Sequence, residues 1–251
     1  MVRFSYTKSV YTLDDGGLMK ENQVEKAYQL ISDMIFKYQL PPGSFVSDYT
    51  LSKILGMSRT PVRQAIMLLL NDGLVLATGK GFKVPEITLE SIDALYDARQ
   101  CLECSILRFS LQKGIEPASL ALLRKEVALE QQCNQNGNII ETLSHDLEFH
   151  RILNSLCRNQ NLENAFNKLV PQMMMVNVFS LASPNLDTPR VYSEICDAIE
   201  NGDTDAACSK LAASIESGRV QKKNAIKKFG SYGMEGIYNF IAHSFLASLK
   251  K

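Results

Sequence analysis

The sequence predicts a mainly α protein: an N-terminal winged helix-turn-helix followed by an all-α antiparallel helical bundle. Three observations carry this. Between Glu21 and Val84, three apolar runs at helical spacing lead into two short β-prone runs around a Thr-Gly-Lys-Gly turn. Past Pro85 the pattern stays helical without further strands. The breaks between these later helices are short, which favours antiparallel neighbours. The 251 residues suffice for one large domain or two modest ones. They divide into a loose arm (1–20), the winged helix-turn-helix (21–85), a helical domain (86–229) and a basic amphipathic tail (230–251).

The arm is polar and ends in the turn-forming Asp14–Gly17. From Glu21 to Tyr38, Val24, Ala27, Leu30, Ile31, Met34 and Ile35 recur at three and four, one face of an amphipathic helix. Pro41, Pro42 and Gly43 stop it. Ser47 caps a short helix through Leu55, with Leu51, Ile54 and Leu55 inward. Gly56 turns the chain. Ser58 is the expected N-cap of the next helix, its hydroxyl accepting from an unpaired amide. Pro61 falls in the first turn, where its missing N–H is tolerated. This helix runs to about Asn71, with Val62, Ala65, Ile66 and Leu69 on one face. Leu74–Val84 then reads as a hairpin. Later helices are expected at Leu89–Lys113, Pro117–Gln135, Glu141–Leu156, Leu162–Leu181, Thr188–Asn201 and Asp203–Lys228, with breaks at glycine- and asparagine-rich turns. Gly230–Lys251 carries an apolar stripe and a basic end. It suits either contact with a polyanion or docking on the bundle.

Composition narrows the function classes. Lys plus Arg number 27 and Asp plus Glu 27, so the formal net charge is zero. The distribution is uneven. Residues 1–85 hold ten Lys/Arg against seven Asp/Glu, residues 86–220 eleven against nineteen, and residues 221–251 six against one. The front can meet a polyanion; the middle repels one. No run of 18 apolar residues occurs, and the first residues lack the apolar core of a secretory signal. The six cysteines are scattered through expected helices and read as reduced thiols of a cytoplasmic protein. Cys101 and Cys104 form a lone CxxC, better explained by helix packing than by zinc or redox chemistry. A complete nucleophile–base set and a phosphate loop are both lacking, so the chain is not expected to be an enzyme and no cofactor is expected.

The helix opened by Ser58 suits the major groove of double-stranded DNA. Its rear is apolar, and Arg59, Thr60, Arg63 and Gln64 crowd the front of its N-terminus. Arg can donate a bidentate pair to guanine or neutralise a phosphate. Ser58 and Thr60 can hydrogen-bond phosphate beside free amides. Lys80 and Gly81 fit a wing tip, the glycine permitting close approach and the lysine adding charge. The stretch LSKILGMSRTPVRQAIMLLLNDGLV, within Asn22–Val84, resembles the DNA-binding domain of GntR-family bacterial transcription regulators. The helical remainder, mainly Leu89–Arg219, is similar to the FadR-like subgroup with an FCD-type ligand-binding domain. The resemblance implies a homodimeric, ligand-responsive regulator and assigns DNA contact to Ser58, Arg59, Thr60, Arg63, Lys80 and Gly81. Gln64 replaces the usual glutamate, and Tyr49 stands where some members have a DNA-contacting arginine.

In the helical domain, Asp146 and His150 lie four apart on one helical face, half of a plausible metal site. The resemblance implies a divalent metal held by this pair and two later histidines. Here Tyr192 and Ser214 occupy those two positions, and the chain's histidines are His145, His150 and His243. Two good ligands are too few for a tight site, so no bound metal is expected. Asp146, His150, Tyr192 and Ser214 are expected instead to line a cavity that contacts an organic effector. Arg99 and Glu103 form either an i,i+4 surface pair or, as the resemblance implies for the arginine, a pocket group that holds a carboxylate. That points to a small acidic metabolite. Pro171–Phe179 reads as a core helix or as a pocket border. The segment Val84–Thr88 is expected to couple the domains. The alternative is a DNA-binding regulator whose helical domain only dimerises.

Overall fold

A computed structural model of the chain describes residues 22–182 and 188–230. The arm, His243 and nearly all of the tail lie outside them.

The head begins with α1 (Gln23–Phe36), capped by the Asn22 side chain, which accepts from the Val24 N–H. Its stripe of Ala27, Tyr28, Ile31 and Ile35 is buried. Helix α2 (Asp48–Leu55) is capped by Ser47 and ended by Gly56 at φ 64°. Helix α3 (Arg59–Asn71) turns Val62, Ala65, Ile66 and Leu69 fully inward. Ile54, expected inward, is 60% exposed. In a two-turn helix the buried stripe is narrow, and Leu51 fills it.

The wing has three strands. Strand β2 (Leu76–Thr78) pairs antiparallel with β3 (Gly81–Lys83), with Thr78 opposite Gly81. Strand β1 (Phe45–Val46) pairs with the other edge of β3. Sequence reading missed β1 because two residues cannot display an alternation.

The bundle comprises α4 (Leu89–Lys113), α5 (Pro117–Gln135), α6 (Ile139–Ser155), α7 (Gln160–Asn167), α8 (Val170–Asn177), a 3₁₀ turn (Val178–Ala182), α9 (Thr188–Glu200) and α10 (Thr204–Gly230). The bounds of α4 and α5 match the expectation. The single helix expected over Leu162–Leu181 is instead three segments. Pro171 explains the break: it lacks the N–H a continuous helix would direct at Asn167, and its ring clashes with that carbonyl. Helix α5 packs on α6 and α9, and α10 packs on α4 and α9. No helix among the described residues is long and apolar enough to cross a membrane.

Helix α8 also touches the head. Tyr38 holds φ 57°, unusual for a bulky residue, and is buried. Its hydroxyl donates to the Met175 carbonyl of α8 at 3.2 Å.

Candidate functional site

The first candidate surface is the front of α3. Ser58, Arg59, Thr60, Arg63 and Gln64 are all exposed there, opposite the buried face. Ser58 has N-cap backbone geometry, φ −67° and ψ 156°, but its hydroxyl makes no capping bond. The cap expected from sequence is therefore half realised. The third helical residue, whose amide a capping serine commonly accepts from, is Pro61 and has no N–H. The remaining first-turn amides and the hydroxyl stay open to an incoming anion.

Arg59 donates from Nη2 to both oxygens of Asp48, at 3.0 and 3.1 Å. Its side chain is 62% exposed, so this is a weak surface pair that positions the arginine and exchanges readily. Tyr49 adds an aromatic shelf: Lys53 Nζ lies 4.2 Å from its ring centre and the Arg59 guanidinium 6.0 Å. Lys53 was missed because a lone lysine on a short helix carries no pattern. At the wing tip, Thr78 Oγ1 accepts from the Lys80 N–H at 3.2 Å and donates to the Gly81 carbonyl at 3.0 Å. Gly81 sits at φ 118°, where a side chain would be strained.

The second candidate is a cavity of about 420 Å³ in the bundle. The five residues expected to line a pocket, Arg99, Asp146, His150, Tyr192 and Ser214, all face it. They come from α4, α6, α9 and α10. A buried network ties four of them to Glu103. Arg99 Nε donates to Glu103 Oε1 at 2.8 Å, and His150 Nδ1 lies 2.5 Å from Glu103 Oε2. His150 Nε2 lies 3.1 Å from Arg99 Nη2 and 2.9 Å from the Tyr192 hydroxyl. Guanidinium is only a donor, so Nε2 accepts and Nδ1 carries the proton toward Glu103. The Tyr192 hydroxyl donates to Asp146 Oδ1 at 2.5 Å, and its ring stacks on Phe149, 4.2 Å between centres.

Arg99 and Glu103 are thus no surface pair; both are buried. Burial alone would raise the Glu103 carboxyl, but the Arg99 charge and the hydrogen bonds from Arg99 and His150 hold it down at about 2. Burial, with the Asp146 charge adding, lifts Tyr192 far above an ordinary phenol, so it stays a donor. Pro171–Phe179 does both jobs foreseen for it: Met173, Met175, Val176 and Phe179 are core, and Asn177 lines the cavity. Glu130 and Lys222 also line it and were not foreseen. Glu130 stands on a helix with an ordinary amphipathic pattern, and Lys222 sits within a basic run that reads as solvated. Cys101 and Cys104 are free thiols, the first exposed and the second partly so.

A divalent metal at Asp146 and His150 does not fit these surroundings. His150 Nε2, the nitrogen left for a metal, already faces a guanidinium, and Tyr192 takes one of the two Asp146 oxygens. Among the described residues no three His, Cys, Asp or Glu side chains converge as a ligand set.

A winged head presenting one helix tip, joined to an all-helical domain around a polar cavity, defines a two-domain regulator architecture. The comparisons agree. Residues 23–84 match the model of the bacterial regulatory proteins of the gntR family, and residues 94–217 match the FCD domain. The chain belongs to the GntR family and carries an FCD domain. It is 30% identical over 139 residues to the uncharacterized HTH-type transcriptional regulator YdhC of Bacillus subtilis, covering 55% of this chain and 62% of that one. It is 32% identical over 130 residues to the Nta operon transcriptional regulator of Aminobacter aminovorans, covering 51% and 61%. These alignments thus span about three-fifths of each relative. Among solved structures, E. coli McbR/YncC superposes with a TM-score of 0.68 at 19% identity, over 80% of this chain and 97% of that one; the likeness is one of fold.

Proposed function

We propose that the protein is a ligand-responsive transcription regulator of the cytoplasm. It acts as a homodimer, each copy laying α3 into one half of a palindromic operator in double-stranded DNA. Ser58 and Thr60 meet phosphate, Arg59 and Arg63 meet base edges or phosphate, and Lys80 with Gly81 brings the wing to the backbone. A small acidic metabolite in the bundle cavity, contacted by Arg99, Asp146, His150, Tyr192 and Ser214, is the effector. Its differential affinity for two placements of the heads sets the change in DNA affinity. The Val84–Thr88 connection carries the coupling. Helix α8 is a second route, since it offers Asn177 to the cavity and Met175 to Tyr38 of the head.

The observation that carries this reading is the cationic front of α3 on a rear face that is wholly buried. Family membership and the operon regulator among the relatives support it. The test is a double variant, Arg59→Ala with Arg63→Ala, titrated against the DNA fragment upstream of the protein's own gene. Loss of two such contacts predicts binding weaker by about a hundredfold or more, with thermal stability unchanged. Unaltered affinity overturns the reading.

One observation favours a second reading, in which the helical domain only dimerises. Arg99, Glu103 and His150 already satisfy one another. Thermal-shift measurements against small organic acids separate the two: stabilisation supports an effector site, and a silent panel supports a dimerisation module.

A further inference from the structure

The cavity holds charged groups that the DNA-binding and effector motifs leave unused. Glu130, on α5, is 0% exposed. Its Oε1 accepts from the Thr188 hydroxyl at 2.5 Å. Its Oε2 is buried and has no hydrogen-bond partner among the described residues. An unpartnered carboxyl oxygen in a protein interior is a standing penalty that an arriving hydrogen-bonding group removes. Asp146 lines the same cavity, and among the described residues its hydrogen-bond donor is the Tyr192 hydroxyl. Lys222, on α10, is 5% exposed, and its ammonium donates to the neutral Gln221 Oε1 at 3.0 Å. An ammonium has three N–H donors, so others are left for the cavity.

We propose that Glu130 and Asp146 form an amine subsite opposed by Lys222, and that the effector is a free amino acid. This rests on the reading of the cavity as an effector site. The ligand's ammonium sits at the two carboxyls and its carboxylate at the lysine. A ligand hydroxyl offers one hydrogen and no charge, so it serves one carboxyl oxygen. An ammonium offers three hydrogens and balances the charge of the pair. A bare divalent cation meets no third ligand among the described residues and faces Arg99 and Lys222. A volume of about 420 Å³ is within the range of small-molecule sites.

The titration behaviour of the two groups agrees. Burial, with the Asp146 charge adding, pushes Glu130 up to about 9, so the empty carboxyl is neutral; an arriving ammonium displaces its proton to solvent and is then accepted at Oε2. Burial pushes Lys222 down to about 8. The Asp146 charge offsets only part of the burial of Lys222, and the Thr188 hydrogen bond only part of that of Glu130.

Calorimetric titration of the full-length protein tests the proposal with matched pairs: phenylalanine and hydrocinnamate, leucine and isocaproate, glutamate and glutarate. At least one amino acid should bind about tenfold or more tightly than its deaminated partner, as a charge-assisted hydrogen bond requires. Glu130→Gln keeps the Thr188 contact and the side-chain volume. It should bring the pair to near-equal affinity and leave the deaminated acid's affinity as it was. If that variant does not fold, Lys222→Met serves. It should weaken both members of a pair alike, by about tenfold, since both lose the carboxylate contact. Deaminated acids binding as tightly as amino acids would overturn the amine subsite and leave the acidic-effector reading standing. If neither class binds, both readings fall. Tight binding of manganese or zinc chloride alone, lost in Glu130→Gln, also overturns the proposal, because it gives the carboxyl pair to a metal.

Discussion

Arg59 on the head and Arg99 in the bundle are each paired with a carboxylate, yet the two pairs do opposite work. Arg59 reaches Asp48 through water-accessible space, with its side chain 62% exposed. Arg99 reaches Glu103 inside the bundle, where both are buried. In water such a pair is worth little and can be traded for phosphate. In the interior, removing either partner strands a charge, so the pair persists and shapes the cavity. An exposed pair leaves its cation free to change partners; a buried pair fixes the shape of the cavity wall.

The largest test of that contrast is to break each pair in turn. Glu103→Ala should lower stability by about 3–5 kcal/mol, the range for stranding one half of a buried ion pair. Asp48→Ala should change it by less than about 1 kcal/mol. Acid titration sharpens the difference. The Glu103 carboxyl is held at about 2 when folded against 4.5 as its ordinary value. Its contribution is therefore complete above the ordinary value and is lost as pH falls toward the folded one. Chemical denaturation between neutral pH and pH of about 3 measures it, and a Glu103→Gln protein should lack this part of the acid sensitivity. Equal losses for Glu103→Ala and Asp48→Ala would erase the distinction.

The same contrast explains what the sequence could show. The head was legible because its signals are local: Ser58, Pro61, Gly56 and the Thr78–Gly81 turn lie within a short stretch, and each sets a backbone feature of its own segment. Its errors came from neighbours in contact, such as Pro61 removing the amide that Ser58 would have capped. The cavity is assembled from four helices far apart in the chain, so spacing alone could not gather it. The family resemblance supplied Arg99, Asp146, His150, Tyr192 and Ser214 as positions. Glu130 and Lys222 belong to no motif. Only the packing of α5 and α10 turns them from apparent surface charges into buried ones.

Lys222 gives the next largest effect, and its sign runs against the Glu103 case. Burial brings its folded value to about 8 from 10.5. At neutral pH both folded and unfolded chains carry the charge, and the folded state bears the full desolvation penalty. As pH rises from the folded to the unfolded value the folded chain sheds the proton first, so the penalty fades. Lys222→Met should accordingly stabilise the protein at pH 7, by up to roughly 2–3 kcal/mol, and the gain should vanish near pH of about 11. Thermal melts across that range check it. A variant that is less stable at pH 7 would mean the lysine is compensated within the protein.

A smaller effect is expected where the two regions meet. Tyr38→Phe removes the hydroxyl that donates to Met175 and leaves the buried ring. One hydrogen bond of this kind is worth about 1 kcal/mol, so the melting temperature should fall only slightly. DNA affinity without effector should change little. The shift that effector produces in DNA affinity should shrink if α8 links the cavity to the head. An undiminished shift would leave the coupling to the Val84–Thr88 connection.

The smallest effect belongs to the wing tip, where charge alone is at stake. Lys80 is exposed at the end of the hairpin, and Thr78 holds the turn through its bonds to the Lys80 N–H and the Gly81 carbonyl. Both use backbone atoms of residues 80 and 81, so Lys80→Ala keeps the turn and removes only the ammonium. A lysine over phosphate releases about one counterion on binding, whereas a lysine that merely helps solvation releases none. Plotting the logarithm of DNA affinity against that of salt concentration should thus give a slope shallower by about 0.9 for Lys80→Ala, with stability and cavity binding unchanged. An unchanged slope would remove the wing from the interface and leave the front of α3 to hold the duplex without it.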